Sequence, residues 1–311
     1  MGSAIGGILM RIFVTGASGF IGTEVSRELR DAGHQVVGLA RSDASAQTLR
    51  NAGYEVLRGS LDDLDSLRRG ALEADGVINL AFDNFGMRTD FMRSVQQDQI
   101  AVEAMLEVLE GTNKPFVNTS GTMVLSFLGR LGTEGDVLDS SFPRVGTENV
   151  VIDSASRSIR SSTVRLAPTV HGEGDLHGFV PGLINIAREK GFSGYVGDGM
   201  NRWPSVHVLD AAHLYRLALE SAPAGSRLHG VGEGGIAFKE IAEAIGRHLN
   251  VQVQSVAADD VADHFSYLSM FVSWDNPSSN TITRELVKWE PTHAGLIEDV
   301  DKGFYFNTPL S

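Results

Sequence analysis

The sequence predicts an α/β fold built on a doubly wound parallel sheet, from three observations. Apolar strand-like runs alternate with helical patterns through the first half of the chain. A glycine turn, Thr15-Gly16-Ala17-Ser18-Gly19-Phe20-Ile21-Gly22, joins the first run to the first helix. The chain has 311 residues, 42% of them hydrophobic, enough for one large α/β domain or two domains sharing a cleft.

The first strand is the run Ile8-Leu9-Met10-Arg11-Ile12-Phe13-Val14. After the turn, Thr23-Glu24-Val25-Ser26-Arg27-Glu28-Leu29-Arg30 has helical spacing. Gly16 takes backbone angles that a Cβ opposes, Gly19 lets the backbone approach an anion, and Gly22 lets the helix pack closely on the strand. The free N–H groups and positive end of that helix then face the anion, which is what a dinucleotide pyrophosphate requires. Gly16, Ser18, Gly19, Phe20, Ile21 and Gly22 are the expected contacts. Further strands read at 35–40, 54–57, 76–81, 116–119 and 162–166, with helical patterns near 43–51, 63–69, 88–110 and 144–157. Right-handed crossovers make the sheet parallel, and ligands of such sheets sit at the carboxyl ends of the strands. After about residue 170 the pattern loosens. His171 to Asp175 reads as a turn-rich loop, and 191–204, with four glycines and aromatic residues, as a cleft-lining loop. A helix at 209–221 and a strand at 227–231 returning to the sheet follow, then mostly helices with short strands from 237.

Composition narrows the function. The net charge is −13 and no lysine/arginine run occurs, which argues against a nucleic-acid partner. Without cysteine there is no disulfide, thiol nucleophile or thiolate metal site. The nine histidines show no metal-binding spacing, so no metal is expected. No apolar run is long enough to span a bilayer, so no membrane partner is expected. The first nine residues lack the basic region of a signal peptide, and a cytoplasmic location follows. Met1 and Met10 both stand as starts.

The chain resembles the extended and atypical branch of the short-chain dehydrogenase/reductase superfamily, of the nucleoside-diphosphate-sugar epimerase/dehydratase type, over nearly its whole length. The marks are Thr15-Gly16-x-x-Gly19-x-x-Gly22, Gly59-Ser60-Leu61-Asp62, Val164 through Gly172, Val206-His207-Val208-Leu209-Asp210 and Trp289-Glu290-Pro291. The resemblance implies a Rossmann sheet with a smaller C-terminal substrate domain. On that division 9–170 with 208–231 bind the dinucleotide and 171–207 with 232–311 bind the substrate. It also implies a homodimer built from the helices near 88–110 and 144–157. Leu61 and Asp62 are expected beside the adenine, Ala81, Phe82 and Thr119 along the cofactor, and Pro168 and Val170 toward the nicotinamide. Asp62 reads equally as a helix cap. A carboxylate ending the second strand normally binds the ribose hydroxyls, but Ala40 stands there, followed by Arg41-Ser42. The alanine removes a charge that repels a 2′-phosphate, while Arg41 and Ser42 offer donors to one, so NADP(H) is the expected cofactor.

The chemistry departs from the family pattern. The resemblance implies Ser or Thr after the fifth strand and a Tyr-x-x-x-Lys pair on the next helix. Here the tyrosines stand at 54, 195, 215, 267 and 305, and none has lysine four residues on. Arg144 and Glu148 occupy the aligned positions. Arg144 stays protonated, so it suits holding a carboxylate, phosphate or polarised carbonyl; Glu148 reads as its i,i+4 partner in a surface ion pair. Gly121 stands at the usual serine, flanked by Ser120 and Thr122, either of which can bond a substrate oxygen or close the turn. His171 offers a proton near neutral pH, whereas His207 reads as structural. Tyr195 and Trp203 are candidates for walls of the substrate pocket, with Phe179, Phe271 and Trp274 among further aromatic residues. The expected function is NADP(H)-dependent hydride transfer to or from a small or medium, apolar carbonyl-type substrate. The alternatives are a non-catalytic NADP(H)-binding sensor, whose mark is an intact cofactor turn beside a lost catalytic pair, and a sugar-nucleotide epimerase or dehydratase.

Overall fold

The computed structural model describes residues 9–83 and 90–307. The chain divides into two compact units. The first holds the described residues up to Thr119, with Gly146–Thr163 and Tyr215–Ser226. The second holds Ser120–Val145, Val164–Leu214 and the described residues from Arg227.

In chain order the elements that build the main sheet are β1 Arg11–Thr15, α1 Phe20–Asp31, β2 Gln35–Ala40, α2 Asp43–Asn51, β3 Glu55–Arg58, α3 Leu64–Glu73, β4 Gly76–Asn79, α4 Phe91–Leu109, β5 Pro115–Gly121, α5 Val145–Asp153 and β6 Arg160–Leu166. The remaining elements are β7 Thr169–His171, α6 Phe179–Lys190, β8 Phe192–Val196, β9 Arg202–His207, α7 Val208–Ser221, β10 Ser226–Gly230, β11 Glu233–Ala237, α8 Phe238–Leu249, β12 Gln252–Val256, α9 Val261–Phe265, α10 Thr281–Val287 and α11 Leu296–Asp301. The seven-stranded sheet runs β10-β6-β5-β4-β1-β2-β3. β1 pairs in parallel with β2 and β4, β2 with β3, and β4 with β5. Strand order reverses between β1 and β4, the switch point at which doubly wound sheets bind ligands.

In the first unit, Ile12, Phe13 and Val14 of β1 are fully buried. Phe13 joins Leu67 and Ala71 of α3, Val102, Met105 and Leu106 of α4, Phe116 of β5 and Val151 of α5 in one core. The spacing of the α4 residues is that of one helical face, and Ile100 lies off it, 45% exposed. The expected helix at 88–110 matches α4 from Phe91 on, and positions 88 and 89 lie outside the described residues. The expected helix at 144–157 ends earlier as α5, and a 3₁₀ turn over Ser154–Arg157 completes it.

The second unit has a three-stranded sheet, β11-β9-β7, and a two-stranded one, β12-β8. Its core centres on Trp203, Phe238, Ile241, Phe265, Leu268, Leu296 and Val300. The segment 191–204, read from its glycines as a loop, instead carries β8 and the start of β9. The glycines have packing roles there. A Cβ on Gly194 would stand 2.5 Å from the His264 ring, while Gly197 and Gly199 have positive φ (61° and 70°) in the turn between the strands.

Gly22 sets the seat of α1. A Cβ there would stand 2.0 Å from the Gly16 carbonyl oxygen and 2.8 Å from its carbon, all rigid backbone. Gly22→Ala should destabilise the chain by about 1–3 kcal/mol or more, read as a lower urea midpoint against the parent.

Candidate functional site

The first unit carries the glycine turn. Gly16 has φ +70°, and a Cβ on it would press on the Ala81 nitrogen at 2.9 Å, so the turn lies directly against the end of β4. The Thr15 hydroxyl fixes this approach: it donates to Asn79 Oδ1 (2.6 Å) and accepts from the Leu80 and Ala81 N–H groups (3.1 Å each). Gly19 is the N-cap of α1, in extended conformation and with no side-chain cap bond. The first N–H groups of α1 are therefore left uncapped by any side chain, as an anion site needs. Ser18, Phe20 and Ile21 are half-buried around the turn. Asn79 also donates to Asn118 Oδ1 at 3.0 Å. Thr119 donates to the Asn79 carbonyl (2.7 Å), which leaves its oxygen to accept from the Tyr215 hydroxyl (2.8 Å). Tyr215 is fully buried, so this tyrosine ties strand ends together.

At the end of β2, Ala40 pairs in register with Arg58 at the end of β3. Arg41 and Ser42 are exposed. Ser42 caps α2 in a reciprocal box with Ser45, so its hydroxyl is occupied by the helix terminus. Arg58 bonds the Ser42 carbonyl and pairs with Asp43 at 3.2 Å. Sequence reading missed Arg58; the register of two adjacent parallel strands was the signal that places it beside Arg41. Leu61 packs half-buried on the core, and Asp62 accepts from the Gln97 amide at 2.6 Å. The helix cap expected at Asp62 falls one residue later: Asp63 accepts from the Ser66 N–H at 3.2 Å. Ala81 and Phe82 are half-buried where β4 ends.

In the second unit, the residues after β5 sort themselves by hydrogen bonding. Thr122 is fully buried and its hydroxyl accepts from the Asn276 amide at 3.0 Å, so it closes the turn. Ser120 is 4% exposed, and its hydroxyl has no hydrogen-bond partner. Arg144 is half-buried with φ +67°, a left-handed conformation that is costly for a residue carrying a Cβ. Glu148, in the first unit, is fully buried, which overturns the surface ion pair expected of it.

β7 separates the residues expected near the nicotinamide. Pro168 and Val170 are half-exposed, while Thr169 and His171 are buried. Alternation along the strand therefore puts His171 on the face opposite Val170. His171 is 1% exposed, with Nδ1 2.7 Å from Asp299 Oδ2 and its ring edge-on to His207. Burial holds its pKa below the usual histidine value. It is a neutral histidine facing the unit's interior, which removes it as a direct proton donor. Burial alone would raise the Asp299 carboxyl, but Lys302 and His171 keep it below the usual carboxylate range. His207 stacks on His293 with centroids 4.8 Å apart, the structural role expected. Asp210 accepts from the Thr292 and His293 N–H groups (3.0 Å each), and its carbonyl accepts from the Trp289 indole at 2.9 Å, so two of the sequence marks meet. Trp203 is fully buried in the core, packed on Phe179 and Phe238, and cannot wall a pocket. Tyr195 is half-buried on β8 with the Lys239 ammonium 5.4 Å from its ring centre. Among the described residues no group of three metal-ligating side chains forms, and no helix is long and apolar enough to cross a membrane.

Comparison with known proteins gives this geometry its context. An uncharacterized protein of Schizosaccharomyces pombe is 48% identical over 299 residues, spanning 96% of this chain and 100% of that protein. The profile described as NAD dependent epimerase/dehydratase family matches residues 12–128. The chain belongs to the NAD-dependent epimerase/dehydratase family. The match to the epimerase/dehydratase profile runs from β1, through the glycine turn, to the end of the 3₁₀ helix Thr122–Leu128. Another relative is the 2-alkyl-3-oxoalkanoate reductase of Stenotrophomonas maltophilia, 26% identical over 231 residues, 71% of this chain and 68% of that one. The crystal structure of UDP-glucose 4-epimerase with UDP-glucose from Thermotoga maritima has the same fold, with TM-score 0.71 at 18% identity over 96% of this chain and 98% of that one.

The loop after β7 holds a second buried acid. Asp175 accepts from the Gly178 N–H at 2.8 Å and faces the Tyr305 hydroxyl; burial pushes its carboxyl up to about 6. An acid with a raised folded pKa supports folding while protonated, fully below its unfolded value and no longer once pH has risen through about 6. Asp175→Asn keeps the shape without the charge. It should be more stable than the parent near pH 7.5, by up to about 3 kcal/mol, with the advantage vanishing near pH 4. Urea unfolding of both chains at the two pH values measures this.

Proposed function

We propose that this chain is an NADP(H)-dependent oxidoreductase that moves a hydride to or from a small or medium apolar carbonyl compound. The observation that carries the cofactor choice is the end of β2. Ala40 brings no carboxylate, and two arginines, Arg41 and Arg58, stand at adjacent strand ends; Arg58 holds the Ser42 carbonyl and the exposed Asp43, a surface pair that a 2′-phosphate can displace at low cost. The glycine turn fits a pyrophosphate: Gly16 and Gly22 have no room for a Cβ, and the α1 N-terminus is uncapped by side chains. When bound, the nicotinamide supplies the hydride. Ser120 donates to the carbonyl oxygen, because its hydroxyl is the one in its turn left without a partner. As hydride adds to the carbon, the oxygen takes a proton from water and becomes an alcohol. Arg144, always protonated, orients the polarised oxygen and does not act as the acid. Pro168 and Val170 border the nicotinamide, and Tyr195 lies toward the substrate. That the Stenotrophomonas relative is a 2-alkyl-3-oxoalkanoate reductase supports this direction of chemistry. The epimerase reading needs a strong base, which the missing Tyr-x-x-x-Lys pair would have supplied.

NADPH consumption followed by fluorescence with ketones, aldehydes, enones and imines tests the reading. Turnover with any of them supports it, and NADPH binding without turnover throughout favours the sensor alternative. Arg41→Ala and Arg58→Ala should each weaken NADPH binding about tenfold and leave NADH within about twofold; equal losses for both cofactors would remove the NADP(H) assignment.

A cytoplasmic homodimer belongs to the same reading. A groove of about 480 Å³ on the first unit is lined by Leu64 and Arg68 of α3, Ile100, Ala104 and Glu107 of α4, and Val150 of α5. A second copy laying the same helices into it would bury Ile100. Ile100→Glu should give a monomer in sedimentation velocity under conditions where the parent is a dimer.

A further inference from the structure

We infer that Asp43 determines how strongly this chain prefers NADP(H) over NAD(H), because its carboxylate competes with the 2′-phosphate for Arg58. This rests on the NADP(H) reading and goes beyond it in naming the residue that tempers the preference.

The carboxylate missing at Ala40 returns three residues later. Asp43 is the first residue of α2, and its fully exposed side chain places Oδ1 3.2 Å from Arg58 Nη2. Strand register brings the arginine there, since Arg58 ends β3 directly beside Ala40. The two ends of its guanidinium meet different partners. Nη1 donates to the Ser42 carbonyl, which also accepts from the Ser45 hydroxyl (2.9 Å) and the Ala46 N–H (3.0 Å). Ser42 is the N-cap of α2, so Nη1 anchors the guanidinium to a helix terminus. Nη2 is the exchangeable end: its bond to Asp43 is a solvated pair, which a doubly charged phosphate can replace while the Nη1 anchor stays.

Arg41 differs from Arg58: it is exposed and forms no ion pair among the described residues. Two positive charges and one negative charge therefore share the ends of β2 and β3. With Asp43 present, a 2′-phosphate meets one unpaired guanidinium, competes for the other and faces a like charge. Ser42 offers no compensation, because its hydroxyl accepts from the Ser45 N–H (3.1 Å). NAD(H) carries no charge at that position, so its binding is indifferent to the pair. Asp43 has a separate use in the fold. It is the acid in the first turn of α2, where the positive end of a helix favours a carboxylate. Helix stability and phosphate affinity thus pull in opposite directions on one residue.

A double-mutant cycle tests this, with Kd for NADPH and NADH read from nicotinamide fluorescence in the parent, Asp43→Asn, Arg58→Ala and the double variant. Asp43→Asn keeps the side-chain shape and removes the charge. It should tighten NADPH about three- to fivefold, leave NADH within about 1.5-fold, and lose its effect as salt is added. On the Arg58→Ala background the gain should fall below about 1.5-fold, since no guanidinium remains to be released. An equal gain on both backgrounds overturns the competition for Arg58. No gain from Asp43→Asn, with Arg41→Ala and Arg58→Ala still weakening NADPH selectively, overturns the role of Asp43 and leaves the NADP(H) reading standing. Equal losses of NADPH and NADH in Arg41→Ala and Arg58→Ala, or a parent that binds neither dinucleotide, overturn both.

Discussion

The close seat of α1 on β1 is the constraint from which the first unit is built. Gly22 lies against the Gly16 backbone with no space for even one methyl group, and the Thr15 hydroxyl bonds two successive N–H groups beyond β4. Together they hold the helix N-terminus over the reversal in strand order. The uncapped N–H groups of α1 are thus positioned by closely packed backbone, not by any charged side chain. Neighbouring strand ends continue this order, because Asn79, Asn118, Thr119 and Tyr215 spend their polar groups on one another. Preorganisation of that kind keeps the turn rigid without a ligand.

The fold was legible where periodicity and glycine placement carried the signal. The alternating strands, the turn and the long helix α4 could be read because each buries a face of regular spacing. The stretch 191–204 could not, since glycine marks a loop and a tightly packed strand alike, and only the His264 ring beside Gly194 distinguishes them. Of the proposed site, the glycine turn and Arg41 stand out from local order alone. Arg58 does not, because its place depends on the register of β2 with β3. Ser120 and Thr122 are equivalent in sequence. Asn276, more than 150 positions away, takes Thr122 and so tells them apart. Glu148 looked like a surface partner on helical spacing alone, which says nothing about what covers a helix face.

The histidines show how burial redirects chemistry. His171 lies in a run that marks the family site, yet strand alternation turns it inward onto Asp299 and His207. Around it, Lys302 balances the Asp299 carboxylate, while Asp210 gathers the N–H groups of Thr292 and His293. These bonds stitch the last part of the described chain to β7, β9 and α7. A polar cluster of this kind is satisfied internally and confers order on the loop after β7.

The two faces of β7 also bear on how this protein can change over evolutionary time. Pro168 and Val170 stand on one side of the strand, and Thr169 and His171 on the other, so insertion or loss of a single residue just before it would exchange the two sets. Histidine would move outward, and an apolar side chain would face Asp299, leaving the buried carboxylate without its imidazole partner and dependent on Lys302. Substitution at the half-exposed Pro168 and Val170 is therefore tolerated at this strand end, whereas a change in its length is not.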